Sequence, residues 1–501
     1  MDRLRCITIL IGVSAVACSD LNARRDGDLT RVPTPSALMP TTQGDLVVEA
    51  RKGYSVAPFV RGLDMPSAVC FDPAGDVCVL EAGGFMGLDA GRTPPRIRIY
   101  TSAGALVKTL PLEGVVFPAF GITWAEGAFF ITHRDAKHLG CVSRVDLDGR
   151  VTPIVTGLPS RGDHGTNQVC LGPDGKLYFA QGTATNSGVV GVDDFVAFGW
   201  PRVYPEVHDV PAKNLILTGK NFLTTDPRGA EPGMKTVTGA FRPFGQPGER
   251  GGEAFGSTKC NGAVLCCDTK GANLEVHCWG LRNPFGLALS PGHPLHVSCQ
   301  GMDVRGSRPI ANDVDALIAA RKGAWYGWPD FTTDLRPLLD DKDHDPPSSV
   351  GKRAEPVIDL RSSDVATPDP KDVVLTLPPG TGVAGFAWAP PTFGEIGDRL
   401  VLAQLGPSDG HEAGKVVSVG AGGELETVLA NPDRLPASRA GALGRGLERP
   451  IDAKFGPDGA LYVVDFGVLT ARIDDETGVA VIMREGTGFV WKVTPDTLPG
   501  E

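Results

Sequence analysis

Several things are scarce in this chain, and each absence excludes something. Against a net charge of −11 there is no basic cluster, which argues against nucleic acid as a partner. No long amphipathic helical pattern stands out, and Asp315–Arg321 is too short to set the class. The apolar run from Ile7 to Val16 is too short to cross a bilayer as a mature helix. Cys260, Cys266, Cys267 and Cys278 do not have the two-plus-two spacing of a zinc ribbon, and His277 beside Cys278 is no haem-attachment motif. What the chain has in excess is turn formers, 65 glycines and 42 prolines in 501 residues, with no collagen period. Many tight turns and little helix follow.

One short phrase keeps returning. It reads Phe71-Asp-Pro-Ala-Gly-Asp-Val-Cys-Val-Leu80, then Leu171-Gly-Pro-Asp-Gly-Lys-Leu-Tyr-Phe-Ala180, then Phe455-Gly-Pro-Asp-Gly-Ala-Leu-Tyr-Val-Val464. Weaker copies run over Leu287–Val297 and from Phe386 to Ala403, and a degenerate one over Ile122–Ile131. Each copy is an apolar strand, a turn and a second apolar strand. Proline presets φ and glycine accepts the left-handed position, so the unit is a β-hairpin. Six such units in one chain predict an all-β fold, a six-bladed β-propeller with loop insertions.

The N-terminus reads as a targeting segment. Arg3 and Arg5 precede the apolar run, and Ala15-Val-Ala-Cys18 follows it with small residues just before a cysteine. This resembles a bacterial lipoprotein signal in which Cys18 becomes the lipidated first residue; the other reading is an ordinary secretory signal. Residues 1–17 are then signal, 18–45 a polar flexible tether and 46–495 the propeller. The expected location is the periplasm or cell surface, with the membrane touched only through a lipid anchor. Export permits disulfides. Cys70 and Cys78 flank the first turn symmetrically and can face each other, as a bridge or as two buried thiols. Cys260, Cys266, Cys267 and Cys278 read as one insertion in which disulfides are expected before metal.

In a propeller the loops of one face converge on the central channel, and three segments there are chemically loaded. They are Arg161-Gly-Asp-His-Gly-Thr-Asn-Gln168, Gly280-Leu-Arg-Asn-Pro-Phe-Gly286, and Gln300–Asp313 followed by Trp325-Tyr-Gly-Trp-Pro-Asp330. On pattern alone His164 is a solvated loop histidine beside a turn-forming aspartate, and Asn283 before Pro284 is a structural turn. Together, in this order, the segments resemble the soluble glucose and sorbosone dehydrogenase family, six-bladed propellers that use pyrroloquinoline quinone (PQQ). The likeness runs from about Gly53 to Val493 and is strongest from Gly162 to Pro329.

The resemblance implies roles. His164 falls where the family has its general base, and a neutral imidazole can take a hydroxyl proton while hydride leaves the same carbon. Asp163 would orient or charge-tune that ring. Arg282 and Asn283 match a cofactor-contacting pair, Arg282 also stabilising oxyanion character at the quinone, and Arg449 matches a cofactor-binding arginine. Gly301 and Met302 match the positions whose backbone carbonyls hold Ca²⁺; Asp303, Asp313 and Asp315 could instead form a separate ion site. Where glucose-oxidising members carry a second arginine two residues after Arg449, this chain has Ile451, and their second-blade glutamine and fifth-blade lysine find no match. Glucose is thereby disfavoured. The implied function is PQQ- and calcium-dependent oxidation of a sugar or related hydroxyl compound, with electrons passed to an external acceptor. The alternatives are a non-catalytic surface propeller that binds glycans or proteins and, less favoured, a calcium-dependent lactonase.

Overall fold

The computed structural model describes residues 46–496, apart from 86, 88–92, 230, 232, 290–291, 349–350 and 475–477. The expected signal and tether, Cys18 included, lie outside the described residues, as do turn residues Ser290 and Pro291 of the fourth repeat.

The repeated hairpins are the inner strand pairs of six antiparallel sheets, the blades of a β-propeller. Their turns are built alike. Asp72 accepts the amides of Ala74 and Asp76, both at 2.9 Å, and Gly75 takes φ 85°. Gly175 and Gly459 take the same left-handed conformation at φ 76°. In blades 3 and 6 a tyrosine locks the turn. Tyr178 donates to Asp174, and Tyr462 to Asp458, each at 2.9 Å.

Blade 1 holds Pro66–Phe71, Val77–Glu81, Arg96–Tyr100 and Leu106–Pro111. Blade 2 holds Val116–Ala125, Ala128–Arg134, Gly140–Val145 and Val151–Leu158. Thr166–Leu171, Leu177–Gln181, Ala263–Cys267 and Glu275–Trp279 make blade 3. Blade 4 is Asn283–Ala288, Leu295–Gln300, Asp315–Ala320 and Val373–Leu377. In blade 5, Val383–Trp388, Leu400–Gln404, Lys415–Val419 and Leu425–Ala430 gain a fifth strand, Glu49–Ala50. Blade 6 has Pro450–Phe455, Leu461–Asp465 and Gly488–Pro495 from the end of the chain. Its outermost strand is Tyr54–Leu63, paired from Tyr54↔Pro495 to Leu63↔Gly488. The N-terminal strand thus closes the ring.

Second strands such as Val77–Glu81 and Leu461–Asp465 are buried along their whole length, because both faces of a blade meet a neighbour. The core is correspondingly divided between blades: Ala68 and Cys70 of blade 1 pack with Ile122 and Phe129 of blade 2, and Leu375 of blade 4 with Phe386 of blade 5. The four cysteines expected in one insertion are placed differently. Cys266 and Cys267 sit on the third strand of blade 3 and Cys278 on its fourth, with Cys266 and Cys267 in separate inter-blade cores. Adjacent strand residues point to opposite faces, so these two cannot share a site. All nine described cysteines carry free thiols, and Cys70 and Cys78 are direct cross-strand neighbours.

Residues 182–262, between the second and third strands of blade 3, form the large insertion. It carries a hairpin, Asn221–Thr225 with Lys235–Gly239, and its own apolar core of Leu215, Phe241 and Trp328 among others, shared with the 325–358 stretch of blade 4. The segment is therefore packed rather than merely looped.

Candidate active site

Starts of inner strands and ends of second strands lie at the same end of an antiparallel blade. That topology places His164, Arg282, Gly301, Met302 and Arg449 on one face. Two of them, His164 and Arg282, are joined through the backbone of Thr183. The His164 amide donates to the Thr183 carbonyl at 3.1 Å, and the Thr183 amide to the Arg282 carbonyl at 3.0 Å.

The His164 ring is half-buried, and its Nδ1 lies 3.0 Å from the Thr183 carbonyl oxygen. A carbonyl only accepts, so Nδ1 carries the proton and Nε2 keeps its lone pair. Desolvation and the Arg282 guanidinium lower the imidazole pKa to about 3, with Arg305 adding to the effect and Asp163 opposing it. The ring is a neutral base at neutral pH. Gly182 makes this approach possible: a Cβ there would stand 2.4 Å from His164 Cβ and 2.7 Å from Asn283 Oδ1.

Of the two roles weighed for Asp163, orienting or charge-tuning the ring, no hydrogen bond serves the first, while its charge does act on the imidazole. Its carboxylate accepts from Trp200 Nε1 at 3.1 Å and from Arg305 Nη2 at 2.5 Å. Burial raises its pKa, but Arg305 and the other neighbours bring it below the ordinary value. The Thr183 carbonyl takes the orienting role, and no side-chain pattern could have announced it.

Arg282 Nη2 donates to Asp303 at 2.6 Å and to Asn186 at 3.1 Å, while its Nε is buried without a partner. Asp303 is half-exposed; desolvation raises its pKa, but Arg282 and Arg305 bring it down to about 2. Asn283 accepts from Asn167 at 2.9 Å and donates to Gln300 at 2.8 Å, and Gln300 donates to the Val383 carbonyl at 3.0 Å. The Asn283 amide therefore ties blades 3, 4 and 5 together. Arg449 is held by the Leu405 carbonyl at 2.8 Å and the Leu469 carbonyl at 3.1 Å, leaving Nη2 buried and unpaired. Burial lowers its pKa to about 10, so it stays charged.

The peptides at Gly301 and Met302 are fixed through their amides, which donate to Asp315 at 2.9 Å and Asp313 at 2.8 Å. Asp315 also receives the Val383 amide at 3.0 Å, and Asp313 the Thr333 amide at 2.8 Å. Burial raises both carboxyls to about 6. Asp303 faces Arg282 and Arg305 instead, so the three aspartates do not make the separate ion site weighed from the sequence. Among the described residues, no three acidic, imidazole or thiol groups converge on a metal position.

A floor closes the channel deeper in. A Cβ on Gly385 of blade 5 would lie 2.5 Å from Gln168 Nε2 of blade 3 and 2.0 Å from Asp452 Oδ1 of blade 6. Residues of three such blades meet only at the axis. Gln168 stands four residues beyond His164, roughly 13 Å along an extended strand.

No protein-family model matches the chain, and no curated protein matches it in sequence. Solved structures do. The holo form of the pyranose dehydrogenase PQQ domain from Coprinopsis cinerea is 15% identical, with 89% of this chain and 97% of that one covered at a TM-score of 0.51. The chain shares its fold. The PQQ-bound form of aldose sugar dehydrogenase from Streptomyces coelicolor is 15% identical, with 89% and 99% covered at 0.47. A calcium structure of a family AA12 carbohydrate-active enzyme from Trichoderma reesei is 14% identical, with 90% and 97% covered at 0.48.

Proposed function

We propose that this chain is a dehydrogenase of a sugar or related hydroxyl compound that depends on PQQ and Ca²⁺ and delivers electrons to an external acceptor. The observation that carries the reading is the neutral His164 imidazole, its Nδ1–H committed to the Thr183 carbonyl, beside the Arg282 guanidinium on a closed-floored channel. Its geometry suits removal of a hydroxyl proton at Nε2.

The residues fit a planar polyanion. Arg282 Nε and Arg449 Nη2 are buried donors that nothing in the protein satisfies, and an unmet buried donor costs about 1–3 kcal/mol. Carboxylates of PQQ would meet them. When bound, PQQ supplies the two-electron acceptor. Arg282 would hold one edge of that group and lend positive charge where negative charge develops. The Gly301 and Met302 carbonyls, on peptide units braced by Asp315 and Asp313, would hold the Ca²⁺. His164 holds and moves the proton, and the floor at Gln168 and Asp452 shuts the channel to water from below.

Reconstitution tests this. Incubated with PQQ and Ca²⁺, the protein should acquire a bound-quinone spectrum and reduce a dye with some member of an aldose and alcohol panel. Arg282→Ala should weaken PQQ binding about tenfold or more, as loss of a charged hydrogen bond implies. No spectrum and no turnover would favour the glycan- or protein-binding alternative, and unchanged affinity in Arg282→Ala would remove that arginine from the site.

A further inference from the structure

Four carboxylates crowd one guanidinium beside the His164 segment. Arg305 donates to Asp163 at 2.5 Å, to Asp193 at 2.6 Å and to Asp303 at 3.2 Å, and Asp194 Oδ1 stands 4.0 Å from its Nη1. Asp303 also pairs with Arg282. Two cations thus face four carboxylates, and Asp163, Asp193 and Asp194 are 4%, 2% and 1% exposed. Unbalanced buried charge is costly, so something must compensate it.

The oxygens are not all used. Asp193 Oδ1, Asp194 Oδ1 and Ser307 Oγ are buried without a hydrogen-bond partner. Asp193 Oδ1 and Ser307 Oγ flank Gly191, whose amide holds the other oxygen of Asp194. The position of a Cβ on Gly191 would lie 2.4 Å from Asp193 Oδ1 and 2.9 Å from Ser307 Oγ, and the Gly191 amide donates to Asp194 Oδ2 at 2.7 Å. Gly306 closes the other side, where a Cβ would lie 2.8 Å from Asp193 Oδ1. Glycine at both positions leaves room beside Asp193 Oδ1 that a Cβ would fill.

We propose that Asp193, Asp194 and Ser307 bind a hard divalent cation of the calcium type. Carboxylate and hydroxyl oxygens, with no nitrogen or sulfur, are the donors such an ion takes. Its two charges neutralise the excess of four carboxylates over Arg282 and Arg305. Water completes the coordination, since two carboxylates and a hydroxyl do not. The ion would pin the large insertion to the loop carrying Arg305, and through Arg305 to Asp163, next to His164. Neither PQQ nor the Gly301 and Met302 carbonyls take part, so this site stands or falls apart from the proposed function.

The test uses the full chain, stripped with EDTA and kept free of PQQ. Titration with Ca²⁺ should raise Tm and show by native mass spectrometry one bound ion more in the parent than in Asp193→Asn. Tb³⁺ should give luminescence excited through tryptophan, because Trp200 donates to Asp163 at 3.1 Å and so lies in the cluster, and Ca²⁺ should quench it by displacement. Asp193→Asn and Ser307→Ala should each weaken Ca²⁺ binding, the first at least tenfold. Trp200→Phe should cut the luminescence while the ion stays bound. No binding at about 10 mM Ca²⁺, roughly tenfold above the weak end of protein calcium sites near 1 mM, would overturn the proposal. So would binding unchanged in Asp193→Asn or, if that variant fails to fold, in Ser307→Ala. A proton on Asp194 would be the rival compensation, and it predicts no Ca²⁺ effect and an Asp194→Asn variant as stable as the parent.

Discussion

At the scale of residues the account turns on His164. Its pKa of about 3 comes from desolvation and Arg282, and a base works only when deprotonated. The kcat/KM of the reconstituted enzyme should therefore stay flat on the acid side down to about pH 5, with no limb near 6.5. An ordinary histidine limb would contradict the arrangement of Thr183, Arg282 and His164. Stability carries the same sign. The imidazole is neutral in the fold and protonates below about 6.5 in the unfolded chain, so the stability it contributes is present above that pH and is lost as pH falls toward 3. His164 and Arg282 were found from the sequence only because their loops resemble a family; the spacing alone favoured a solvated loop. Thr183 and Asn186 left no signal, since one acts through a carbonyl and the other lies in the insertion. Arg305 lay in a segment already singled out together with Asp303, but Asp163, Asp193 and Asp194 are brought to it by the fold.

Among the elements, the inner hairpins were legible and the closing strand was not. A turn with proline, aspartate and glycine dictates its own geometry locally, and Tyr178 and Tyr462 repeat because each bonds its own turn aspartate. Ring closure is a contact between chain ends that no local pattern encodes. Tyr54–Leu63 covers Gly488–Pro495, which would otherwise present an open edge. Leu63 is fully buried and Tyr54 nearly so, each contributing about 1.5–3 kcal/mol against a typical total of 5–15 kcal/mol. A chain lacking residues 46–63 should lose its cooperative thermal transition in calorimetry. A native-like transition in that chain would show that the last blade needs no closing strand. Cys266 and Cys267 were misplaced for a related reason: the long gap between repeats hid the outer strands of blade 3, which have no turn signature of their own.

Over the whole molecule, six blades aim loops from distant parts of the sequence at one channel mouth, and Gln168 and Asp452 close it below. An imidazole from the loop before blade 3, a guanidinium from the loop before blade 4 and another from the loop before blade 6 share that face. Base and cofactor contacts thus come from different loops and should separate on mutation. The decisive comparison is His164→Gln with the parent protein, both loaded with PQQ and Ca²⁺, measuring quinone absorbance and single-turnover reduction by substrate. The account predicts equal cofactor binding and a reduction rate down by at least about a hundredfold, the usual contribution of a general base. A His164→Gln protein that binds PQQ and is reduced at the parent rate would contradict it.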